Sequence, residues 1–435
     1  MGMERPQSFF EWSSLLFSPE IYQARRERLL ALLCADDGVM LIPSRHGPGE
    51  STFRQNDAFN YFTGLELPDS MLVADSRDGV TLYLPHEDAR FTSPVRPNDF
   101  PGRPLLDDPD FRAKAGIDRL RPMEEFDGRL QTFGARPVYL PMPNRQPLDL
   151  VQTGYIFHWD TAQGLAYHLA HTTQLALKNG YELMARLRMI KGPEEVETIR
   201  RAVKITEESI LATLPMVKPG VDERTLIGKL EFEFRRRGSQ RNAFDSIVKG
   251  GLNAHCAWRI LGSHYDRRNQ VLKDGDAVVF DVGAEYNYYA SDIGRTFPVG
   301  ERFTPMQYDR LQRVHDVVLA VTQAVRPGVT LGELRQVALR NLAPEHHPYM
   351  QVDSYYGHHI GLSAGDPSLM EEPLQPGMVF TIEPWYYNHV DHVSVFIEEN
   401  VVVTQNGVEV LSNGIPHSPD DLQRIRTEAL EKIEP

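Results

Sequence analysis

Residues 277–299, AVVFDVGAEYNYYASDIGRTFPV, set an aspartate into an apolar run twice within a dozen positions. The run AVVFDVG follows the turn signal Lys273-Asp274-Gly275-Asp276 and reads as a buried strand holding Asp281. A lone aspartate near a strand end usually serves a turn, so partners are needed before chemistry is argued. Asp292 supplies one, because Gly283 to Asn287 suits a hairpin that brings the two carboxylates close across an antiparallel pair. Glu383 in VFTIEPWYY and Glu398 in VSVFIEENVVVT repeat the pattern of an acid inside an apolar, β-rich run. Like charges gathered in a core resist ionisation unless cations neutralise them, and four carboxylates match two divalent ions. His358, in YYGHHIGLSAGDP, offers a neutral nitrogen ligand. An oxygen-rich set with one imidazole favours Mn²⁺, with Co²⁺, Fe²⁺ or Zn²⁺ as alternatives.

The surroundings agree with an enzyme-sized chain. Its 435 residues are enough for at least two cores. Cys34 and Cys256 are the only cysteines, which excludes a disulfide framework and a thiolate zinc site. A formal charge of −14 argues against nucleic-acid binding, since only Arg235-Arg236-Arg237 forms a basic run. Glu11, Glu20 and Arg25, Arg26 and Arg28 interrupt the first thirty residues, and no stretch has the apolar length of a membrane span. A soluble, cytoplasmic protein is expected.

Helical spacing over 21–34, a strand at 38–43 and a hairpin from 70–75 and 79–85 predict a small α/β domain, followed by a Pro- and Asp-rich connection over 86–150. Helices are expected at 161–188 and 193–214, with the domain boundary between 175 and 190. Beyond it, helices at 222–237, 304–326 and 331–341 mix with strands at 277–284, 289–298, 378–387, 393–404 and 408–411. We therefore expect an α/β domain over 1–180 and an α+β domain rich in antiparallel strands over 181–435.

The segments DVGAEYNYYASDIGRTFPVGERFTPMQ, GHHIGL, LQPGMVFTIEPWYY and IEENVVVTQNGVEVL resemble the pita-bread metallopeptidases: aminopeptidase P, prolidase and their methionine aminopeptidase and creatinase relatives. The family's ligand order Asp, Asp, His, Glu, Glu falls on Asp281, Asp292, His358, Glu383 and Glu398, within a likeness running from about 185 to 415. FRQNDAFNYFTGLELPDSMLVA, residues 53–74, is similar to the N-terminal module of aminopeptidase P; read on its own it is a loop with a Phe/Tyr cluster and a turn at Thr63-Gly64.

The resemblance implies a pita-bread catalytic domain holding two divalent metals that activate water, and a peptide substrate with proline at the second position. It implies that Glu383 relays a proton as well as ligating, and that the enzyme forms a homo-oligomer, a dimer. His264, rather than its rival His255, matches the upstream histidine that hydrogen-bonds substrate, Tyr387 keeps a family tyrosine, and Thr296 is placed to orient a ligand. Two positions depart from the family. Gly365 stands where a histidine is usual and Phe396 where an arginine is usual, both substrate-facing groups; His359, His389 and His392 are nearby stand-ins. Aminopeptidase P and prolidase activity both fit, as do a related C–N hydrolase of other substrate and a non-catalytic binding protein.

Overall fold

The structure is a computed structural model describing residues 9–11, 13–47, 52–86, 105–108, 110–143, 160–256, 269–350, 357–388 and 390–431. The chain divides into two compact units, Met1–Leu187 and Arg188–Pro435.

In the first unit, β1 (Val39–Pro43), β2 (Met71–Asp75) and β3 (Gly79–Leu84) form the expected strand and hairpin. With β4 (Leu120–Pro122), β5 (Pro137–Leu140) and β6 (Ala176–Asn179) they make one mixed sheet in the order β4-β3-β2-β1-β5-β6. The region expected as connection thus supplies two strands. They are three and four residues long, too short for a period of two to stand out, and prolines sit at their ends, where no ladder hydrogen bond is lost. The expected helix 161–188 is likewise interrupted. α1 (Thr161–Thr172) ends before β6, and a second helix resumes at Tyr181–Arg188. Gly180 makes that turn possible: a β-carbon there would lie 2.9 Å from the Leu140 carbonyl oxygen. The aromatic stretch expected as a loop forms helix Asp57–Thr63, stopped by Gly64 in the left-handed region at φ 67°.

All the strand pairs of the second unit are antiparallel among the described residues. β7 (Arg241–Asn242) pairs with β10 (Ala284–Tyr286), which pairs with β11 (Tyr289–Ala290); β8 (Ile247–Gly250), β9 (Ala277–Val282) and β12 (Ile293–Pro298) form a second sheet. β13 (Val379–Ile382), β16 (Glu399–Val403) and β17 (Val408–Val410) form a third, and β14 (Trp385–Asn388) pairs with β15 (Val393–Phe396). α2 (Pro193–Thr213) opens with proline and two glutamates in its first turn, which suits the positive end of the helix. α3 (Pro305–Ala324) starts at a Thr304/Gln307 capping box. Among the described residues, no helix is long and apolar enough to cross a membrane.

Three of the long strands expected from the sequence are broken where an acid stands, while Asp281 stays within β9. Asp292 separates β11 from β12, Glu383 lies between β13 and β14, and Glu398 lies between β15 and β16. The interruptions take those residues out of the regular alternation of the ladders. One contact closes the arrangement: Gly294 and Glu398 exchange backbone hydrogen bonds of 3.3 and 3.0 Å, joining two sheets.

Gly294 is required there by close approach. A β-carbon would fall 2.2 Å from the Phe396 ring and 2.8 Å from the Glu398 β-carbon, both packed in the core. Gly294→Ala is expected to lower stability by about 1–3 kcal/mol through overpacking and, with Glu398 taken as the metal ligand that the family likeness implies, to weaken metal uptake by displacing it. Calorimetry with metal titration checks both; an alanine variant with unchanged melting temperature and metal affinity would show that the strands are free to separate.

Candidate metal centre

Four carboxylates and one imidazole converge where these strands are interrupted. In the β9–β12 ladder Asp281 sits opposite Gly294 and Val282 opposite Ile293, so the hairpin brings Asp281 and Asp292 together. Asp292, His358 and Glu398 each offer an atom within 4.8 Å of the others, a spacing that could hold a metal ion. His358 Nε2 lies 3.5 Å from both Asp292 Oδ2 and Glu383 Oε1. The four acids are buried, at 1–6% exposure, so water does little to screen their repulsion.

The protonation balance reflects that crowding. Burial, then the charges of Asp292 and Glu383, raise the Asp281 carboxyl well above the usual range. Glu398 is raised in the same way by burial and by Asp292, Glu383 and Asp281. Burial pushes Glu383 up to about 7. For His358, burial opposes the charge, but the Asp292 hydrogen bond and the Glu383 and Asp292 charges outweigh it and raise the imidazole to about 9.

Uncharged and cationic neighbours fix the groups in place. The Thr381 hydroxyl accepts from the His358 backbone N–H at 3.1 Å and donates to Glu383 Oε1 at 2.8 Å. Asn400 grips the Asp292 peptide from both sides, accepting its N–H at 3.0 Å and donating to its carbonyl. Arg295, fully buried, donates to the carbonyls of Gly294 at 2.8 Å and Glu398 at 2.7 Å and pairs with Glu399 at 2.7 Å. Sequence reading missed these three. Their signal was present in the adjacency of Arg295 to the Asp292 strand and of Glu399-Asn400 to Glu398, but polar neighbours of a site residue look like surface positions until the strand break turns them inward.

Other sequence candidates are placed differently. Thr296 does not touch a carboxylate; its hydroxyl donates to the Phe396 carbonyl at 2.9 Å and accepts the Phe396 N–H at 2.8 Å, tying β12 to β15. Phe396 is buried and stacked on Trp385, with centroids 4.3 Å apart and planes 26° apart, so the position of the usual arginine is filled by core packing. Tyr387 is half-buried and packs against that cluster. His359 is 1% exposed, packed on Phe380, with Nδ1 lacking a partner among the described residues, and so cannot stand in for a substrate-facing histidine. His392 lies on a turn with φ 52°. His264 and His389 lie outside the described residues, as does the side chain of His255.

The sequence profile of metallopeptidase family M24 matches residues 197–405, and that of the aminopeptidase P N-terminal domain matches residues 22–139. Xaa-Pro aminopeptidase 3 of Mus musculus is 31% identical, over 93% of this chain and 85% of its own. Xaa-Pro aminopeptidase of Escherichia coli strain K12 is 28% identical, over 95% of this chain and 98% of its own. Among solved structures, proline aminopeptidase P II from Yersinia pestis superposes with a TM-score of 0.75 at 25% identity, covering 95% of this chain and 100% of that one.

A hydrolase fold of pita-bread type behind an α/β N-terminal domain is therefore what the strands and helices build. The chain belongs to metallopeptidase family M24, in its aminopeptidase P branch, and membership brings dependence on divalent metal ions.

A pH dependence follows. Glu383 moves from 4.5 to about 7 and His358 from 6.5 to about 9 on folding, so the metal-free folded chain binds more protons than the unfolded chain between those limits. Its stability is greatest below about pH 4.5, as far as these groups decide, and falls as pH rises toward 9. Divalent metal takes the deprotonated ligands, so the gap between loaded and chelated melting temperatures should widen over the same range. Calorimetry of chelated protein at pH 5.5 and 8.5 tests the sign; greater metal-free stability at pH 8.5 would contradict it.

Proposed function

We propose that this chain is a metal-dependent peptidase that removes an N-terminal residue ahead of proline, with its metal held by Asp281, Asp292, His358, Glu383 and Glu398. The observation that carries the reading is the set of unpartnered buried oxygens. Asp281 Oδ2, Asp292 Oδ1 and Glu398 Oε1 are shielded from solvent and have no hydrogen-bond partner among the described residues. Such oxygens are costly in a core, and they fit a cation, as does a donor set of four carboxylates and one imidazole. Its oxygen-rich character supports two divalent ions, Mn²⁺ foremost, with Co²⁺, Zn²⁺ or Fe²⁺ as alternatives.

Bound there, the ions would polarise the scissile carbonyl and lower the pKa of water. Glu383, held by Thr381 and balanced near neutral pH, is suited to take a proton and return it to the leaving amine. His264, by the family likeness, would hydrogen-bond the substrate carbonyl, and Tyr387 would add a hydroxyl from the β14 face. The N-terminal domain and near-full-length likeness to two proteins named Xaa-Pro aminopeptidases support an aminopeptidase over a dipeptidase. A cytoplasmic homodimer completes the reading.

A second reading, a related C–N hydrolase of other substrate, draws support from Phe396, whose buried stack leaves no room for a cation at that position.

Purified protein should cleave a Xaa-Pro-Xaa tripeptide faster than a Xaa-Pro dipeptide, and only with divalent metal. Asp292→Ala or Glu398→Ala should reduce metal-dependent cleavage by at least a thousandfold, on the order of losing an essential catalytic group. Metal uptake without cleavage of either peptide would favour the second reading, and failure to bind metal would exclude both.

Gly365 offers a further check. It is exposed, and a β-carbon there would meet nothing within 4 Å among the described residues. Gly365→His should fold like the parent and raise kcat on Xaa-Pro peptides by about tenfold or more if a missing donor limits the reaction; no gain would show that the parent site is already complete.

A further inference from the structure

The ion cluster under the His358 turn has no part in the chemistry described so far. Asp366 follows Gly365 in the motif that departs from the family, yet its carboxylate is 1% exposed and paired with two buried cations, Arg188 and Lys191, the latter at 3.3 Å. Ser363 Oγ lies 3.5 Å from the same carboxylate. Gly361 is pressed against it, since a β-carbon on that glycine would come 2.7 Å from Asp366 Oδ2. The backbone N–H of Asp366 donates to the His359 carbonyl at 2.8 Å. That carbonyl also faces His358 Nδ1 at 3.3 Å.

A carbonyl oxygen can only accept. The ring nitrogen that faces it must carry the hydrogen, which leaves Nε2 as the lone-pair nitrogen of the neutral ring. Nε2 is the atom turned toward Asp292 and Glu383. The Gly361 carbonyl accepts from Ala290 N–H at 2.8 Å, so the same turn is tied to the strand just before Asp292.

We infer that Asp366 is a positioning residue: anchored by Arg188 and Lys191, it holds the His359 carbonyl where it fixes His358 in the Nδ1–H tautomer, presenting Nε2 to the metal. The inference rests on the metal-site reading above. It accounts for Asp366 remaining beside Gly365, because the aspartate serves the ligand histidine from beneath while the neighbouring position faces outward. Outer partners of ligating histidines typically change metal affinity by about 10- to 100-fold when removed.

Three measurements test it. First, ¹⁵N NMR of metal-free parent protein at pH 10, above the titration of His358, should show that ring as the Nδ1–H tautomer; an Nε2–H ring overturns the inference whatever the variants do. Second, Lys191→Met/Asp366→Asn removes one charge of each sign, and Gly361→Ala displaces the carboxylate without changing charge. Each folded variant should bind Mn²⁺ about 10- to 100-fold more weakly and show a mixed His358 tautomer when metal-free. Folded variants with metal affinity within twofold of the parent and an unchanged tautomer would reduce the cluster to a structural ion pair. Third, Asp292→Ala serves as control. Loss of metal binding there, with no effect of the Asp366 and Gly361 variants, rejects this inference alone, whereas metal binding that survives Asp292→Ala rejects the site itself.

Discussion

Mutual repulsion among Asp281, Asp292, Glu383 and Glu398 is the constraint around which the second unit is arranged. Four acids, each at most 6% exposed, cannot all ionise together in a low-dielectric interior. The raised carboxyl pKa values of Asp281, Glu383 and Glu398 express that conflict as retained protons. Divalent cations resolve it in the other direction, by replacing protons with a denser positive charge. The neighbouring polar groups act on the backbone around the site as well as on one carboxylate, Glu383, which accepts from Thr381. Asn400 holds the Asp292 peptide, and Arg295 donates to the Gly294 and Glu398 carbonyls as well as to Glu399, which fixes the strands while Asp281 Oδ2, Asp292 Oδ1 and Glu398 Oε1 stay without a hydrogen-bond partner among the described residues.

Strand geometry serves this end. A continuous ladder would alternate its side chains and bury its backbone groups in pairs, leaving an acid on a core-facing position with no route to a shared centre. Breaking three strands at the acids frees them from that alternation, and the Gly294–Glu398 backbone exchange then restores pairing across the break. Glycine at 294 and the buried guanidinium at 295 are paired features: the first allows the strands to approach, and the second gives a further donor to the Gly294 and Glu398 carbonyls that the backbone exchange engages.

Acids within apolar runs are conspicuous because composition contradicts environment, which is why Asp281, Asp292, Glu383 and Glu398 could be picked from sequence. Strand limits were less legible. Periodicity over 378–387 and 393–404 continues through Glu383-Pro384 and Ile397-Glu398, and only the pairing partners show where the ladders stop. β4, β5 and β6 escaped notice for a different reason. Three or four residues give too few alternations to signal a strand, and their pairing comes from partners remote in sequence, β3 for β4, β1 for β5 and β5 for β6. Thr296 shows the limit for side chains: its place beside a ligand motif was evident, but its contact with the Phe396 backbone depends on a strand a hundred residues away.

The two departures from the family pattern differ physically, and the difference bears on how such a site changes. Phe396 has been absorbed into packing. It stacks on Trp385, abuts Gly294 and occupies a core position, so restoring a cation there would bury an unpaired charge among apolar side chains. Gly365 is exposed, accepts only from the nearby Ser363 hydroxyl among the described contacts, and has nothing described within 4 Å of where a β-carbon would stand. A change at position 396 is thus coupled to the core through Trp385, while a change at position 365 is local. Asp366, one residue along, belongs to neither case: its two buried cations and its hold on the His359 carbonyl make it part of the frame that orients His358, so it is constrained even though its neighbour is not.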